Sequence, residues 1–395
     1  MLVNRICQRI LEVGKRICCE FGIRKNGFSK EFYKSVVSKH SPWVYIAYIS
    51  EVFYHQDEKL YLSGHQNRLE AICMVDILNN LGYNVYVQQY DSNLKLPHLK
   101  NVKMVFGHEP NLIKAAKKYP QAKVVQYATG AYVEHANSQI IKMTDYVNKK
   151  YHSHLPYRRL VKTSDKEFSI HKGYEISDVI LQIGSKFTIA TMPSIYRDKI
   201  RIIHQSVTVT NDISIIDAKE NEFLFLASWG NMLKGVPLLL EYFCNHQNVT
   251  LHMVGPMEED YLSLINDEIT PNIHLHGFLN VNSEEFVDIV KKCNFIVYPS
   301  GTEGLPGSVL CAMRYGLIPI VTPWAAFDEI DEYGYLMDYN WNVESVEKGI
   351  NWALSLSSEE RLQRKKRCKC YVLEYYNLKR FTDEYRALCV NFLKH

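Results

Sequence analysis

One carboxylate, Glu303, stands among glycines and ahead of a proline in the stretch YPSGTEGLPGSVLCAM, residues 298–313. An apolar run typical of a buried strand leads into this turn, and helical spacing follows it. The amides at the start of that helix, around Ser308 and Val309, would form an anion site. A carboxylate beside a bound phosphate is expected to bind something else, and sugar hydroxyls are good candidates. The alternative is that Glu303 only caps or decorates a loop.

The glycines of this turn would allow a ligand to come close to the backbone. Gly304 and Gly307 would let the backbone come near a ligand, while Pro306 stiffens the chain between them. We therefore expect the turn to bind a phosphate group through its backbone.

A second stretch, LASWGNMLKGVPLLLEYF at residues 226–243, begins in a strand and ends in a helix. Lys234 could supply a mobile positive charge for a diphosphate, although a lysine at a helix start is often simply solvated. The stretch contains neither of the glycine-rich fingerprints of dinucleotide sites and P-loops. Small and polar residues at Ser228, Gly230 and Asn231 predict a loop, and Gly235 introduces the helix that follows.

Short apolar runs that alternate with helical patterns must position these loops. The pattern predicts a helix over 67–82 and strands at 43–50, 83–90, 102–107, 122–128, 178–184, 200–204, 222–228, 249–255, 273–278, 294–300 and 317–323. Such alternation is typical of parallel sheets covered on both faces. Because the rhythm restarts near residue 220, we expect an α/β protein with two Rossmann-like, doubly wound domains that face an interdomain cleft, where ligands bind beyond the carboxyl ends of strands.

The predicted division has four parts. It consists of a basic N-terminal helical segment (1–40), a first Rossmann-like domain (41–210), a second Rossmann-like domain (211–375) and a C-terminal helix (376–395) that could pack back on the first domain.

Composition excludes several classes of function. The formal net charge of +3 argues against extensive nucleic-acid binding. The ten cysteines are scattered without a C-x-x-C pair, so no metal site and no disulfide framework are expected. Buried thiols, the absence of a signal-peptide pattern and the absence of a long apolar run predict a cytoplasmic protein.

In order and spacing, several stretches resemble the retaining glycosyltransferases of family 4, known as glycosyl transferases group 1, which have the GT-B fold. They are SWGNMLKG, LHMVGP, NIHLHGF and above all YPSGTEGLPGSVLCAMRYGLIPIV, with HQNRLE, YATGAYVEHAN and SDVILQIGSKFT in the first domain. The resemblance implies that Lys234 binds the donor diphosphate and that Glu303 contacts the donor sugar. It places the donor at Ser228, Gly230, Asn231, Gly235, Gly304, Leu305, Pro306, Gly307, Ser308, Val309 and Cys311.

Two positions depart from the family pattern. The second glutamate of the family, which usually binds the ribose hydroxyls, falls on Cys311, and a thiol is a weak hydrogen-bonding group. The arginine that often precedes the lysine loop is also absent, and Trp229 lies near that place. Donor affinity or nucleotide choice could therefore be unusual.

Candidates for the acceptor side follow strands of the first domain. His135 could assist at the reacting centre, although such a histidine is more often structural. The other candidates are His65, Asn67, Thr129, Gly130 and Glu134. Asn67 could instead cap the helix that follows it.

Residues 1–40 carry nine Lys and Arg against three Glu. Leu2, Ile6 and Ile10 lie on one helical face, which would suit a helix on an anionic membrane surface. The alternative is a helix packed on the first domain.

Together these features predict a retaining glycosyltransferase that moves a sugar from a nucleotide-diphosphate donor to a glycan or lipid-linked acceptor, without a cofactor, in bacterial surface polysaccharide synthesis. A non-catalytic homologue that binds a sugar nucleotide or glycan is the alternative from another class. A sugar-nucleotide epimerase of similar architecture is a more distant one.

Overall fold

The computed structural model describes residues 30–165 and 167–393. Most of the predicted basic N-terminal segment, residues 1–29, therefore lies outside the described residues. Within the described part, no helix is long and apolar enough to cross a membrane.

The described chain alternates strands and helices. The strands are β1 (Phe32–Ser35), β2 (Trp43–Ala47), β3 (Asn84–Gln88), β4 (Val102–Gly107), β5 (Lys123–Ala128), β6 (Val179–Ile183), β7 (Ile200–Ile203), β8 (Glu222–Leu226), β9 (Thr250–Val254), β10 (Ile273–Gly277), β11 (Phe295–Tyr298), β12 (Ile318–Val321) and β13 (Tyr335–Leu336).

The helices are α1 (Lys59–Leu62), α2 (Gln66–Asn80), α3 (Asn111–Lys118), α4 (Val133–Tyr151), α5 (Ile170–Ile176), α6 (Lys186–Ala190), α7 (Ser194–Arg197), α8 (Val236–Asn245), α9 (Glu259–Ile265), α10 (Glu284–Val290), α11 (Gly307–Arg314), α12 (Ile330–Tyr333), α13 (Val343–Ser355), α14 (Ser358–Tyr375) and α15 (Leu378–Leu393). Short 3-10 helices span Glu51–Tyr54, Asn266–Glu268 and Pro323–Ala325.

Two sheets organise the molecule. The first has the order β1-β3-β2-β4-β5-β6-β7, and the second has the order β10-β9-β8-β11-β12-β13. Neighbouring strands pair in parallel, except that β1 lies antiparallel against β3. The predicted strands are all present, although β1 and the short β13 were not predicted.

Both faces of the first sheet are covered, which explains why its strands are continuous apolar runs. Along β2, Val44 packs with α2 on one face, whereas Tyr45 packs with Leu112 and Ala115 of α3 on the other. Residues that alternate along a strand thus enter two different cores.

The helix α15 lies against the first sheet although it comes last in the chain. The ring of Tyr385 packs on Phe106 of β4 at 5.7 Å between centroids, and Lys123 Nζ donates to Phe392 O at 2.8 Å. In addition, the backbone amide of His204 donates to the carboxylate of Glu384 at 2.8 Å. The limits of the domains in the sequence stay a prediction.

Each sheet has one point at which the strand order reverses. In the first sheet the chain moves from β2 to β3 on one side and to β4 on the other; in the second, β8 plays this part between β9 and β11. The loops after such strands diverge to opposite faces and leave a crevice at the carboxyl edge. The loop after β8 carries Lys234, and the loop after β11 carries Glu303.

Those two loops of the second sheet are in close contact. Gly235 precedes α8 with φ +69°, and a Cβ built on it would stand 2.0 Å from Pro299 O, directly after β11. A side chain at this position would push the loops apart.

We expect Gly235→Ala to destabilise the fold more than Gly82→Ala does. Gly82 also has a positive φ, of +90°, but nothing lies within 4 Å of its Cβ position. Backbone strain alone should lower the free energy of unfolding by about 1–2 kcal/mol at Gly82, and overlap with Pro299 should add about 1–3 kcal/mol at Gly235. Denaturant unfolding measures both, and equal losses would contradict the close contact.

Candidate active site

A cleft of about 390 Å³ lies between the carboxyl edges of the two sheets. Its first-domain wall comes from Tyr48 after β2, from the loop before α2 and from Thr129 after β5. Its second-domain wall comes from the loops after β8, β9, β10 and β11 together with the start of α11. Both points of strand reversal therefore open into one space.

Lys234 and Glu303 form an ion pair inside this cleft. Both side chains are largely buried, with 9% and 14% of their surface exposed. The hydroxyls of Tyr298 and Ser300 also donate to Glu303 Oε1, at 2.9 and 2.8 Å. Within the described part of the chain, the hydrogen bonds to Glu303 all reach Oε1, which leaves Oε2 for a ligand.

Tyr298 must stay protonated to donate this bond. Burial, together with the charge of Glu303, holds the pKa of Tyr298 well above its ordinary value. The three donors on one oxygen therefore fix the orientation of the carboxylate.

The helix α11 begins at the cleft, and no described side chain bonds the backbone amides of its first turn. Its N-cap residue is Pro306, and no side chain caps the helix. Gly307 and Ser308, in the first turn, line the cleft. Uncapped amides at the start of a helix attract an anion, so this end of the cleft suits a phosphate.

The structure brings many of the predicted residues together. The predicted residues that line the cleft are Ser228, Lys234, Glu303, Leu305, Pro306, Gly307, Ser308 and Cys311 from the second domain, and His65, Asn67 and Thr129 from the first.

Other predicted residues lie behind the wall. Gly130, Glu134, His135, Gly230, Asn231, Gly235, Gly304 and Val309 do not line the cleft. Asn231 is buried and holds the chain after β9, because its Oδ1 accepts from the amide of Glu258 at 2.7 Å. Gly304 packs closely against the first domain, since a Cβ built on it would stand 2.5 Å from Thr129 O and 2.6 Å from Ile183 O.

His135 links the domains rather than facing the cleft. Its Nε2 lies 3.0 Å from Gly301 O, and its ring packs against Trp324 at 5.4 Å. Burial lowers the pKa of His135, against the opposing effect of the bond to Gly301. A neutral ring donates this bond through Nε2–H, so His135 is placed to hold the turn that carries Glu303.

Asn67 does not cap α2. The cap is His65, whose Nδ1 accepts from the amide of Asn67 at 3.3 Å, and the helix begins at Gln66. The side chain of Asn67 is thereby left at the cleft.

Cys311 lines the cleft but is nearly buried, and Thr208 Oγ1 lies 4.0 Å from its Sγ. Burial raises the pKa of the Cys311 thiol to about 11. The position therefore offers a ligand a neutral thiol and a hydroxyl instead of a carboxylate.

Several cleft residues were missed by the sequence reasoning. A chain of amides crosses between the domains, in which Gln66 Nε2 donates to Gln205 Oε1 at 3.0 Å and Gln205 Nε2 donates to Leu305 O at 2.8 Å. Arg159 reaches the cleft from the loop after α4. Tyr298 and Ser300, which bond Glu303, were also missed. Of the missed residues, only these two could have been found from the sequence, because both stand in the same short stretch as Glu303.

Glu70 was also missed. It lies on the buried side of α2, where Ser206 donates to its Oε1 through both backbone amide (2.6 Å) and hydroxyl (2.9 Å). Its Oε2 has no partner among the described residues. Burial raises the pKa of Glu70 to about 7.

The comparison with protein families finds a match for the second domain. The family model for glycosyl transferases group 1 matches residues 209–369, a range that contains Lys234, Glu303 and α11. The capsular polysaccharide biosynthesis glycosyltransferase CapH of Staphylococcus aureus is 22% identical over 205 residues, which cover 49% of this chain and 54% of CapH. The match thus spans about half the length of that relative.

Solved structures extend the likeness to both domains. A glycosyltransferase from Rickettsia africae has a TM-score of 0.53 at 13% identity, with 91% of this chain and 100% of that chain covered. WaaG, a glycosyltransferase involved in lipopolysaccharide biosynthesis, has a TM-score of 0.52 at 13% identity, with 88% and 99% covered. HepE of Anabaena, in complex with UDP-glucose, has a TM-score of 0.53 at 9% identity, with 89% and 100% covered.

At these identities the structural likeness shows the fold, and the family match covers residues 209–369. Both agree with the resemblance seen in the sequence. Residues 209–369 therefore match the family of glycosyl transferases group 1, and the chain has the two-domain GT-B fold.

Proposed function

We propose that this protein is a retaining glycosyltransferase that moves a sugar from a nucleotide-diphosphate donor to a glycan or lipid-linked acceptor in surface polysaccharide synthesis. The observation that carries the proposal is the Lys234–Glu303 pair beside the uncapped start of α11, in a cleft between two domains. The names of CapH and WaaG supply the link to surface polysaccharides, and the UDP-glucose complex of HepE supplies the link to a nucleotide sugar.

The donor would bind with its diphosphate at the second domain. When the bond between the sugar's anomeric carbon and the diphosphate breaks, negative charge develops on the departing oxygen. Lys234 and the first amides of α11 are positioned to stabilise that charge, and they need little rearrangement because the fold already holds them.

Glu303 would orient the donor sugar. Its Oε1 is saturated by Lys234, Tyr298 and Ser300, so sugar hydroxyls would donate to Oε2. The ion pair also keeps Lys234 beside the sugar end of the diphosphate.

The acceptor would enter along the first-domain wall, at His65, Asn67 and Thr129. In a retaining transfer the acceptor oxygen attacks from the face that the diphosphate leaves. A phosphate oxygen on that face can take the acceptor's proton as the new bond forms. We assign His135 a positioning role through Gly301 rather than contact with the reacting atoms.

Contacts between the domains would keep water out of this space. Gln205 donates to Leu305 O at 2.8 Å, and Thr188 donates to Gly304 O at 2.6 Å, on either side of the donor turn. Exclusion of water would suppress hydrolysis of the donor. A cytoplasmic location and contact of the N-terminal segment with an anionic membrane remain part of this proposal.

A non-catalytic homologue that binds a sugar nucleotide or glycan is the second candidate, and Cys311 is the observation that favours it. The family's second glutamate would accept two ribose hydroxyls, which a buried thiol cannot do.

We expect Glu303→Gln to lower kcat/KM by about 100-fold or more, because the amide cannot accept sugar hydroxyls as strongly as a carboxylate. A thermal-shift screen with UDP-, GDP-, ADP- and CMP-sugars first identifies the donor, and transfer is then assayed with that donor. Binding of the free nucleotide should change less than transfer does, since Glu303 contacts the sugar and reaches the diphosphate only through Lys234.

The matched control is Glu285→Gln, which removes an exposed carboxylate in the first turn of α10. It should transfer at the wild-type rate. Unchanged turnover in Glu303→Gln would contradict the proposed role, and the absence of a thermal shift with every donor would contradict the proposed function.

We expect Cys311→Glu to tighten nucleotide binding by about tenfold, because a carboxylate at this point of the cleft would accept ribose hydroxyls. Cys311→Gln has the same length without the charge and should gain less. Calorimetric titration with the nucleotide from the screen measures both. Equal affinity in all three proteins would mean that the ribose does not lie at this position.

A further inference from the structure

The charges of the cleft leave one cation without a carboxylate partner. Among the described residues that line it, Lys234 and Arg159 are the only lysine and arginine. Lys234 is paired with Glu303. No ion pair joins Arg159 to any described acid, although its charge acts on Glu258 from a greater distance, so the least compensated positive charge of the cleft is that of Arg159.

The guanidinium of Arg159 stands over the loop that leads to Lys234. Its Nη1 donates to Trp229 O at 2.6 Å, and a Cβ on Gly230 would meet the same Nη1 and the Cδ at 3.0 Å. This bond uses one of five N–H donors, and no described residue accepts from the other four, which can bind an anion in the cleft.

The first domain holds Arg159 in this place. The side chain of Asn137 on α4 bonds the backbone of Val161 twice, at 2.9 and 3.0 Å, and the side chain of Asn148 bonds the backbone of Leu155 twice, at 3.1 and 2.7 Å. Arg159 lies between these two anchors and has φ +65°, a conformation that non-glycine residues seldom adopt. The loop is thus pinned on both sides of the residue that enters the cleft.

The preceding residue has a different environment. Arg158 pairs with Asp260, and its Nε lies 3.9 Å from Glu258. It does not line the cleft. Two adjacent arginines of the same loop therefore differ in whether they form an ion pair with a described acid.

We propose that Arg159 is a diphosphate-binding residue, which contacts the donor from the first domain, opposite Lys234 and the start of α11. The inference rests on the proposed function and adds a residue to its donor site. Because the other phosphate contacts come from the second domain, a donor held by Arg159 would be bound by both domains at once.

The test compares Arg159→Gln with Arg158→Gln in the full-length chain. UDP, GDP, ADP and CDP are titrated into wild type by calorimetry, together with the nucleoside that corresponds to whichever nucleotide binds. Arg159→Gln should weaken the nucleoside diphosphate by about tenfold or more, leave the nucleoside unchanged and reduce the salt dependence of binding. Arg159→Lys should recover part of the loss, and Arg158→Gln should bind as wild type does.

The outcomes separate the two claims. If wild type binds none of the four nucleotides, the proposed function fails, and this inference fails with it. If wild type binds one and Arg159→Gln binds it equally well, the inference is overturned while the proposed function stands. It is also overturned if Arg158→Gln loses as much affinity, or if the nucleoside is weakened as much as the diphosphate, because the loop's structure would then be responsible.

Discussion

The site depends on one oxygen atom, Glu303 Oε1, which accepts from an ammonium and two hydroxyls. Tyr298 ends β11 and Ser300 lies in the turn that follows, whereas Lys234 comes from the loop after β8. A buried carboxylate without a partner would be strongly unfavourable, so the pair brings together the two loops that diverge at the strand reversal. The tight contact of Gly235 with Pro299 follows from the same requirement.

Close to the donor turn, side chains of the first domain contact the backbone of the second. Side chains of Gln205, Thr188, Ser185 and His135 bond carbonyl oxygens of the turns after β11 and β12. Such contacts depend on the path of the chain and not on which side chains it carries. The side chains of the donor turn are thereby left to face the cleft.

The elements were predictable because their signals are local. Each buried strand is an apolar run, and the loops with Lys234 and Glu303 follow such runs directly, so their meeting follows from parallel topology. Arg159 and Glu70 could not be found in this way, since a loop arginine and a helical glutamate are ordinary in sequence. Their environment is set by contacts with Trp229 and Ser206, each 70 or more positions away. The edge strand β1 is short and half exposed, and lacked an apolar pattern.

Glu70 adds a proton equilibrium to the cleft. Its pKa of about 7 means that the carboxyl is divided between charged and neutral forms near neutral pH. An anion that enters the cleft beside Glu70 would favour the neutral form of the carboxyl, because two negative charges repel each other strongly where burial weakens solvation. Binding of an anion beside Glu70 would therefore be accompanied by uptake of a proton, and its affinity would fall as the pH rises through neutrality.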